Sequence, residues 1–334
     1  MLDLSLIWAA IIALGVFLYV MLDGFDLGIG LLFPFFPGEQ DRDVMMNTVA
    51  PVWDGNETWL VLGGAGLFAA FPVVYGAVLS ALYLPLTLML VGLIFRGVAF
   101  EIRAKARRTR HLWDLAFIAG SATATFFQGV ALGGYIQGIP VSGREFAGGG
   151  FDWLSPFSLF TGLGLLATYA TLGCGWLLIK TEGELQRRMF ALMRPLTGLL
   201  LAMIAVVSLW TPLVDPAIAQ RWFRLPNLFW FLPVPAAVAL CAWRICAAVA
   251  QRRERAPYFL ALAITALGYA GFLISIWPHM IPPSVTLWQA AAPASSQAFA
   301  LVGALLILPV ILAYTALGYW VFRGKVRAGD AGYH

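Results

Sequence analysis

The chain has 334 residues, of which 61% are hydrophobic and 11% charged, with a formal net charge of +4. Soluble domains carry about 25% charged residues, so this composition excludes a soluble protein and predicts an integral membrane one. Long unbroken apolar runs also exclude a membrane β-barrel, whose strands alternate, and predict an all-α single transmembrane domain over 1–334 with about nine spans.

The first apolar run, 5–33, has no Lys or Arg before Arg42, so it lacks a signal peptide's basic flank and reads as a retained helix. Near its end stands Leu22-Asp23-Gly24-Phe25-Asp26-Leu27-Gly28-Ile29-Gly30. Asp23 and Asp26 are three residues apart and share a helix face, while the glycines allow close helix approach. Two readings of these aspartates stand: hydrogen bonds that hold helix packing, or proton movement.

The second run, 48–70, opens with Pro51-Val52-Trp53-Asp54-Gly55-Asn56-Glu57-Thr58-Trp59-Leu60. An ionised carboxylate at mid-membrane costs about 2.5–3.5 kcal/mol on insertion scales, so such residues usually face protein or water and carry function. With a helix start near Thr48, Asp54 is expected roughly 9 Å along the axis, inside the hydrocarbon edge. Asp54 and Glu57 share one face and are candidate proton relays, with Glu57 alternatively held in a salt bridge. Asn56 lies on the adjoining face with Trp53 and Trp59. Trp59 reads either as core or as part of a gas path.

The third run, 73–100, leads into Phe95-Arg96-Gly97-Val98-Ala99-Phe100-Glu101-Ile102-Arg103. Arg96 is expected to pair with Asp23, Asp26 or Asp54 through its fork of donors, or else to snorkel outward. Glu101 is a second candidate charge partner. Further spans are expected at 112–138, 153–180, 194–214, 226–250, 257–278 and 294–322. Basic clusters follow the third, fifth, seventh and ninth runs, which the positive-inside rule makes cytoplasmic. The N-terminus is then outside and the C-terminus inside, although Arg221 and Arg224 fall in a loop assigned outside. The outside segments 139–152, rich in Gly, and 278–293, rich in Pro and Trp, read as interfacial.

Cys174, Cys241 and Cys246 show no CxxC spacing and are expected to be buried packing thiols. His111, His279 and His334 are not placed mid-helix, which offers no usual haem or metal site. Basic residues flank apolar runs, so nucleic-acid binding has no support.

In combination and order, the blocks Leu22–Gly30, Asn47–Leu60, Leu67–Tyr75, Phe95–Arg103 and Pro282–Gln297 resemble subunit II of the cytochrome bd-type quinol oxidases. Val52 and the Pro282–Trp288 stretch are closer to the cyanide-insensitive branch. The resemblance spans nearly the whole chain and implies two four-helix bundles plus a peripheral helix. It implies a larger partner, subunit I, that carries haem b, haem d and the quinol-binding loop. A small accessory subunit, a structural quinone and bound lipid occur variably in the family. It further implies a cytoplasmic proton route through Asp54 and an oxygen path at Trp59; Asp23, Asp26, Asn56 and Glu57 join that route as candidates from their own place in the apolar runs, and no role for Glu57 is carried over from the family. Two positions depart from the family pattern: Glu57 stands where some relatives have Gln, and Gln289 where many have Asp.

The expected function is therefore that of an accessory subunit in a bacterial inner-membrane complex that oxidises quinol and reduces dioxygen to water. A proton-coupled secondary transporter is one rival, disfavoured by the lack of inverted repeats. A purely structural assembly subunit is the other.

Overall fold

The computed structural model describes residues 3–327 and 329. Its long helices are α1 (Leu4–Leu32), α3 (Trp53–Ala70), α5 (Tyr83–Arg103), α6 (Arg110–Ile136), α7 (Pro156–Lys180), α8 (Gly183–Val214), α11 (Pro233–Ala250), α12 (Ala256–Ile276) and α14 (Ala294–Val321). Shorter helices are α2 (Glu39–Asn47), α4 (Pro72–Ala81), α9 (Pro216–Phe223), α10 (Asn227–Phe231) and α13 (Leu287–Ala290). Two small hairpins complete the described fold, β1 (Val141–Ser142) with β2 (Glu145–Phe146), and β3 (His279–Ile281) with β4 (Val285–Thr286).

Among the described residues, eight helices are long and apolar enough to cross a membrane. The remaining expected span, α3, has 18 residues but is not one of the eight, because Trp53–Trp59 makes its first two turns polar. Three further boundaries differ from the sequence expectation. The chain forms α2 and then turns through 48–52, so α3 begins at Trp53 rather than near Thr48. The apolar run 73–100 is broken at Leu82 into α4 and α5, and Pro85 sits in the first turn of α5, where its missing N–H costs no helix bond. The sixth span begins earlier, since α8 extends back to Gly183 through a polar first turn.

Helices α1, α3, α5 and α6 pack as one group, α7, α8, α11 and α12 as another, and α7 joins them by lying against both α1 and α6. Helix α14 lies outside, against α1 and α3. The α1–α7 crossing depends on missing side chains. A Cβ at Gly28 would stand 1.8 Å from the Tyr169 carbonyl oxygen, and one at Gly173 would stand 2.5 Å from the Gly28 backbone. That close approach places the polar end of α1 at the centre of the molecule.

At the same end of the molecule, α2 is lashed to α5 and α6 by ion pairs. Arg42 pairs with Asp114 at 2.8 Å, Arg103 with Asp43 at 2.6 Å, and Arg103 also bonds Asp114 directly. Arg110 bonds Asp43 and lies 3.5 Å from Glu39. Arg103 and Asp114 are buried, so water and salt screen this part of the belt weakly.

Candidate functional site

The two faces of α3 set the site. Asn56, Trp59, Gly63, Gly66 and Ala70 are buried, at the spacing of one helix face, and pack against α1. Asp54, Thr58, Val61, Ala65 and Phe68 form the opposite stripe and are exposed. Asp54 therefore lies in the first helical turn, on the outer stripe, and makes no hydrogen bond or ion pair among the described residues. This corrects the roughly 9 Å depth expected from a helix start at Thr48.

The buried acids are on α1, six and nine residues before its last residue, Leu32, which is about 9–14 Å along the helix. Asp23 and Asp26 are both fully buried, and so is Arg96. Arg96 Nη2 donates to Asp23 Oδ1 at 2.7 Å and to Glu57 Oε1 at 2.5 Å. One guanidinium thus ties three helices, α1, α3 and α5. Neither Asp26 nor Asp54, both considered as partners from sequence, pairs with it. Its carbon lies 5.6 Å from the Trp53 ring centroid and 5.9 Å from that of Phe100, and those two rings stack at 5.1 Å. A buried cation gains from aromatic faces as well as carboxylates, which fits its complete burial.

Asp26 has a different partner. Its Oδ2 accepts from Asn56 Nδ2 at 2.7 Å, and Asn56 Oδ1 accepts from the Tyr319 hydroxyl at 2.8 Å. Glu57 bridges the two environments, with 26% of its side chain exposed beside the fully buried Asp23–Arg96 pair. Glu101, expected as a charge partner, is exposed and makes no hydrogen bond or ion pair among the described residues. Trp59 is buried with Tyr19 and Leu308 in a small apolar cluster just beyond Asn56.

Several buried polar atoms around this cluster have no protein partner: Asp23 Oδ2, Asp26 Oδ1, Tyr19 Oη, Trp59 Nε1, Arg96 Nε and Nη1, and Gln128 Oε1. Buried groups of this kind are normally satisfied by ordered water, and unpaired ones cost about 1–3 kcal/mol each. Three side chains at the edge of the site carry no signal in the sequence: Gln128, Tyr169 and Tyr319. Gln128 donates to the Tyr169 hydroxyl at 2.8 Å, and Tyr169 rests on Gly24 beside Asp23. Tyr319 looks in sequence like an interfacial aromatic, and only the fold brings it to Asn56.

No group of three or more His, Cys, Asp or Glu suited to a metal occurs among the described residues. His111 is exposed at the start of α6, and His279 lies on the β3–β4 hairpin. His334 lies outside the described residues. The cysteines only partly follow expectation: Cys174 is buried, Cys241 half-buried and Cys246 exposed. Gln289 accepts from the Thr286 amide and hydroxyl, both at 2.8 Å, and so caps α13.

Known proteins resemble this chain over nearly all its length. It is 29% identical to the "cytochrome bd-I ubiquinol oxidase subunit 2" of Escherichia coli K12, over 98% of this chain and 96% of that one. It is 30% identical to a "probable cytochrome oxidase subunit 2" of Haemophilus influenzae, over 97% and 96%. The bd oxidase structure from Geobacillus thermodenitrificans shares the fold with a TM-score of 0.75, covering 96% of this chain and 99% of that one at 17% identity. The family profile described as cytochrome bd terminal oxidase subunit II matches residues 4–322, and the chain belongs to that family.

Proposed function

We propose that this subunit conducts protons from the cytoplasm toward the oxygen-reducing site of its complex. Oxidases of this family work with haems, and the reading places haem b and haem d in the larger subunit I, where they supply the electron transfer from quinol to dioxygen. Reduction of dioxygen to water consumes protons, and those protons need a path through apolar helices. Four carboxylates stand ready for it. Asp54 lies at the mouth on the outer stripe of α3, Glu57 half-way in, and Asp23 and Asp26 are buried. The observation that carries the reading is the Arg96 fork. It holds an exposed-edge carboxylate and a fully buried one on one guanidinium, within a site rich in polar atoms that suit water.

Orientation follows from the basic clusters: the ends of α5, α7, α11 and α14 face the cytoplasm, with the N-terminus outside. The complex then lies in the bacterial inner membrane. Trp59 and the apolar cluster around it form the oxygen path of the same reading. A structural quinone, lipid or small accessory subunit would bind elsewhere on the outer faces. The outer stripe of α3 meets subunit I, because a carboxylate in this position is stabilised by protein or water and not by lipid.

Asp54→Asn tests the route. The prediction is that oxygen consumption by the assembled complex slows by roughly 10²-fold, the lower end of the 10²–10⁴-fold range typical of a proton-transfer group. The measurement is quinol-dependent turnover alongside the haem spectrum. Full turnover with normal haem content would remove Asp54 from the route. Loss of haem with normal turnover per haem would favour the purely structural alternative.

A further inference from the structure

Tyr319 stands on the last turn of α14, a helix in which only Gln297 and Leu308 are buried. Its hydroxyl bonds Asn56 Oδ1 at 2.8 Å, across 263 residues of sequence. The other end of the same amide donates from Nδ2 to Asp26 Oδ2 at 2.7 Å and to the Leu22 carbonyl at 3.4 Å. The two ends of an amide are alike in shape and opposite in hydrogen-bonding sense, so the neighbours decide which end points where. The Leu22 carbonyl can only accept, which draws Nδ2. The Tyr319 hydroxyl can donate, which satisfies Oδ1. Together they leave Asp26 facing a fixed N–H donor.

The position of that hydroxyl has its own support. The Tyr319 ring meets Phe25 and Trp176 edge-on, with centroids at 6.4 and 6.0 Å. Lys180 Nζ lies 5.4 Å from the Trp176 ring and donates to the carbonyls of Phe322 and of Gly324, the latter at 2.8 Å. The Val326 amide donates to the Lys180 carbonyl at 2.8 Å. Lys325 donates to the Thr181 carbonyl at 3.0 Å and pairs with Glu254 at 2.8 Å. The segment just after Tyr319 is thus strapped to the α7–α8 turn, and this strap places the end of α14 that burial leaves loosely held.

We propose that Tyr319 is a positioning residue for proton transfer: through Asn56 it keeps an N–H donor on Asp26, and the C-terminal strap sets where its hydroxyl stands. The inference rests on Asp26 and Asn56 belonging to the proton route proposed above. It adds a contribution from the far end of the chain that acts without touching the transferred proton.

The test uses the intact two-subunit complex in mild detergent. Tyr319→Phe keeps the ring and removes the hydroxyl. The expected result is a loss of turnover of about 2- to 10-fold, the equivalent of one neutral hydrogen bond, with a displaced pH profile and unchanged haem content and melting temperature. In an Asn56→Ala background the same change is expected to cost nothing further, because the amide it orients is gone. Additive losses would overturn action through Asn56. Parental turnover and pH profile in Tyr319→Phe, with Asp26→Asn slow, would overturn the role of Tyr319 and leave the route standing. Parental turnover in both Asp26→Asn and Asn56→Ala would remove these two residues from the route, and this inference with them, while Asp54→Asn still decides the rest of the route. Lys180→Met loosens the strap with the hydroxyl in place and is expected to displace the same pH profile. An unchanged profile in Lys180→Met would overturn the part given to the strap.

Discussion

Arg96 makes contacts that no single replacement can reproduce. It is fully buried, pairs with both Asp23 and Glu57 from one nitrogen, and lies over two stacked rings. Arg96→Met would leave a fully buried carboxylate without its counter-charge. Breaking a buried pair in this way typically costs about 3–5 kcal/mol. The expected outcome is poor recovery of the complex and a markedly lower melting temperature, measured by thermal unfolding in detergent. Arg96→Lys, which keeps the charge on a single point, should recover part of the loss. A melting temperature for Arg96→Met equal to the parent's would show that Asp23 and Glu57 do not depend on this cation. The residue types here were legible because charge in an apolar run is conspicuous. Their pairing was not. Asp26 and Asp54 were as plausible from spacing as Asp23, and only the rotation of α3, set by its start at Trp53, turns Glu57 rather than Asp54 toward Arg96.

Among the elements, the strap and α14 illustrate what hydropathy reads and what it misses. An apolar run announces a span, and α14 duly appears at Ala294–Val321, but the pattern says nothing of which side the span packs on. Helix α2 was missed because a nine-residue polar helix has no apolar signature, and the α4–α5 break was missed because no polar residue marks Leu82. Besides the buried Lys180, the strap is held by the half-exposed Lys325–Glu254 pair, and acid should weaken that tie. The hydrogen bond from Lys325 holds the Glu254 carboxyl below its ordinary value of 4.5. A carboxylate lowered in the folded state stabilises above its unfolded value, and that contribution is lost as pH falls through the lowered one. The prediction is that amides of residues 322–326, corrected for intrinsic rate, exchange faster as pH falls from about 6 to below 4.5. Glu254→Gln should already exchange fast and show little pH dependence. A parent strap that exchanges at one rate across this range would mean that the backbone bonds, and not Glu254, hold it.

For the whole molecule, α3 is the wall between the chain's own core and its surroundings. The buried stripe serves α1, and the exposed stripe, with Val61 at 69% and Phe68 at 63% exposure, is left for something else. Gly64 adjoins that stripe, and a Cβ there would meet nothing within 4 Å in this chain. Small residues let membrane helices approach closely, so a longer side chain here should be felt only by a partner. Gly64→Leu is predicted to leave this subunit folded in the membrane and to reduce co-purification of subunit I. The check is the ratio of the two subunits after affinity purification, and an unaltered ratio would place the contact elsewhere. The overall class and the polar blocks were readable from composition and order. The assignment of faces was not, because it depends on the turn at 48–52 that fixes where the helix begins.

That turn has a genetic consequence. Because α2 is lashed to α5 and α6 through Arg42, Asp43, Arg103 and Asp114, the connection into α3 cannot take up slack by sliding α2. One residue inserted between Asn47 and Trp53 would rotate α3 by about 100° at 3.6 residues per turn. Asn56 would leave Asp26, and Asp54 would leave the outer stripe, in a single event. A short turn, Thr48-Val49-Ala50-Pro51-Val52, is therefore a fixed spacer, intolerant of length change.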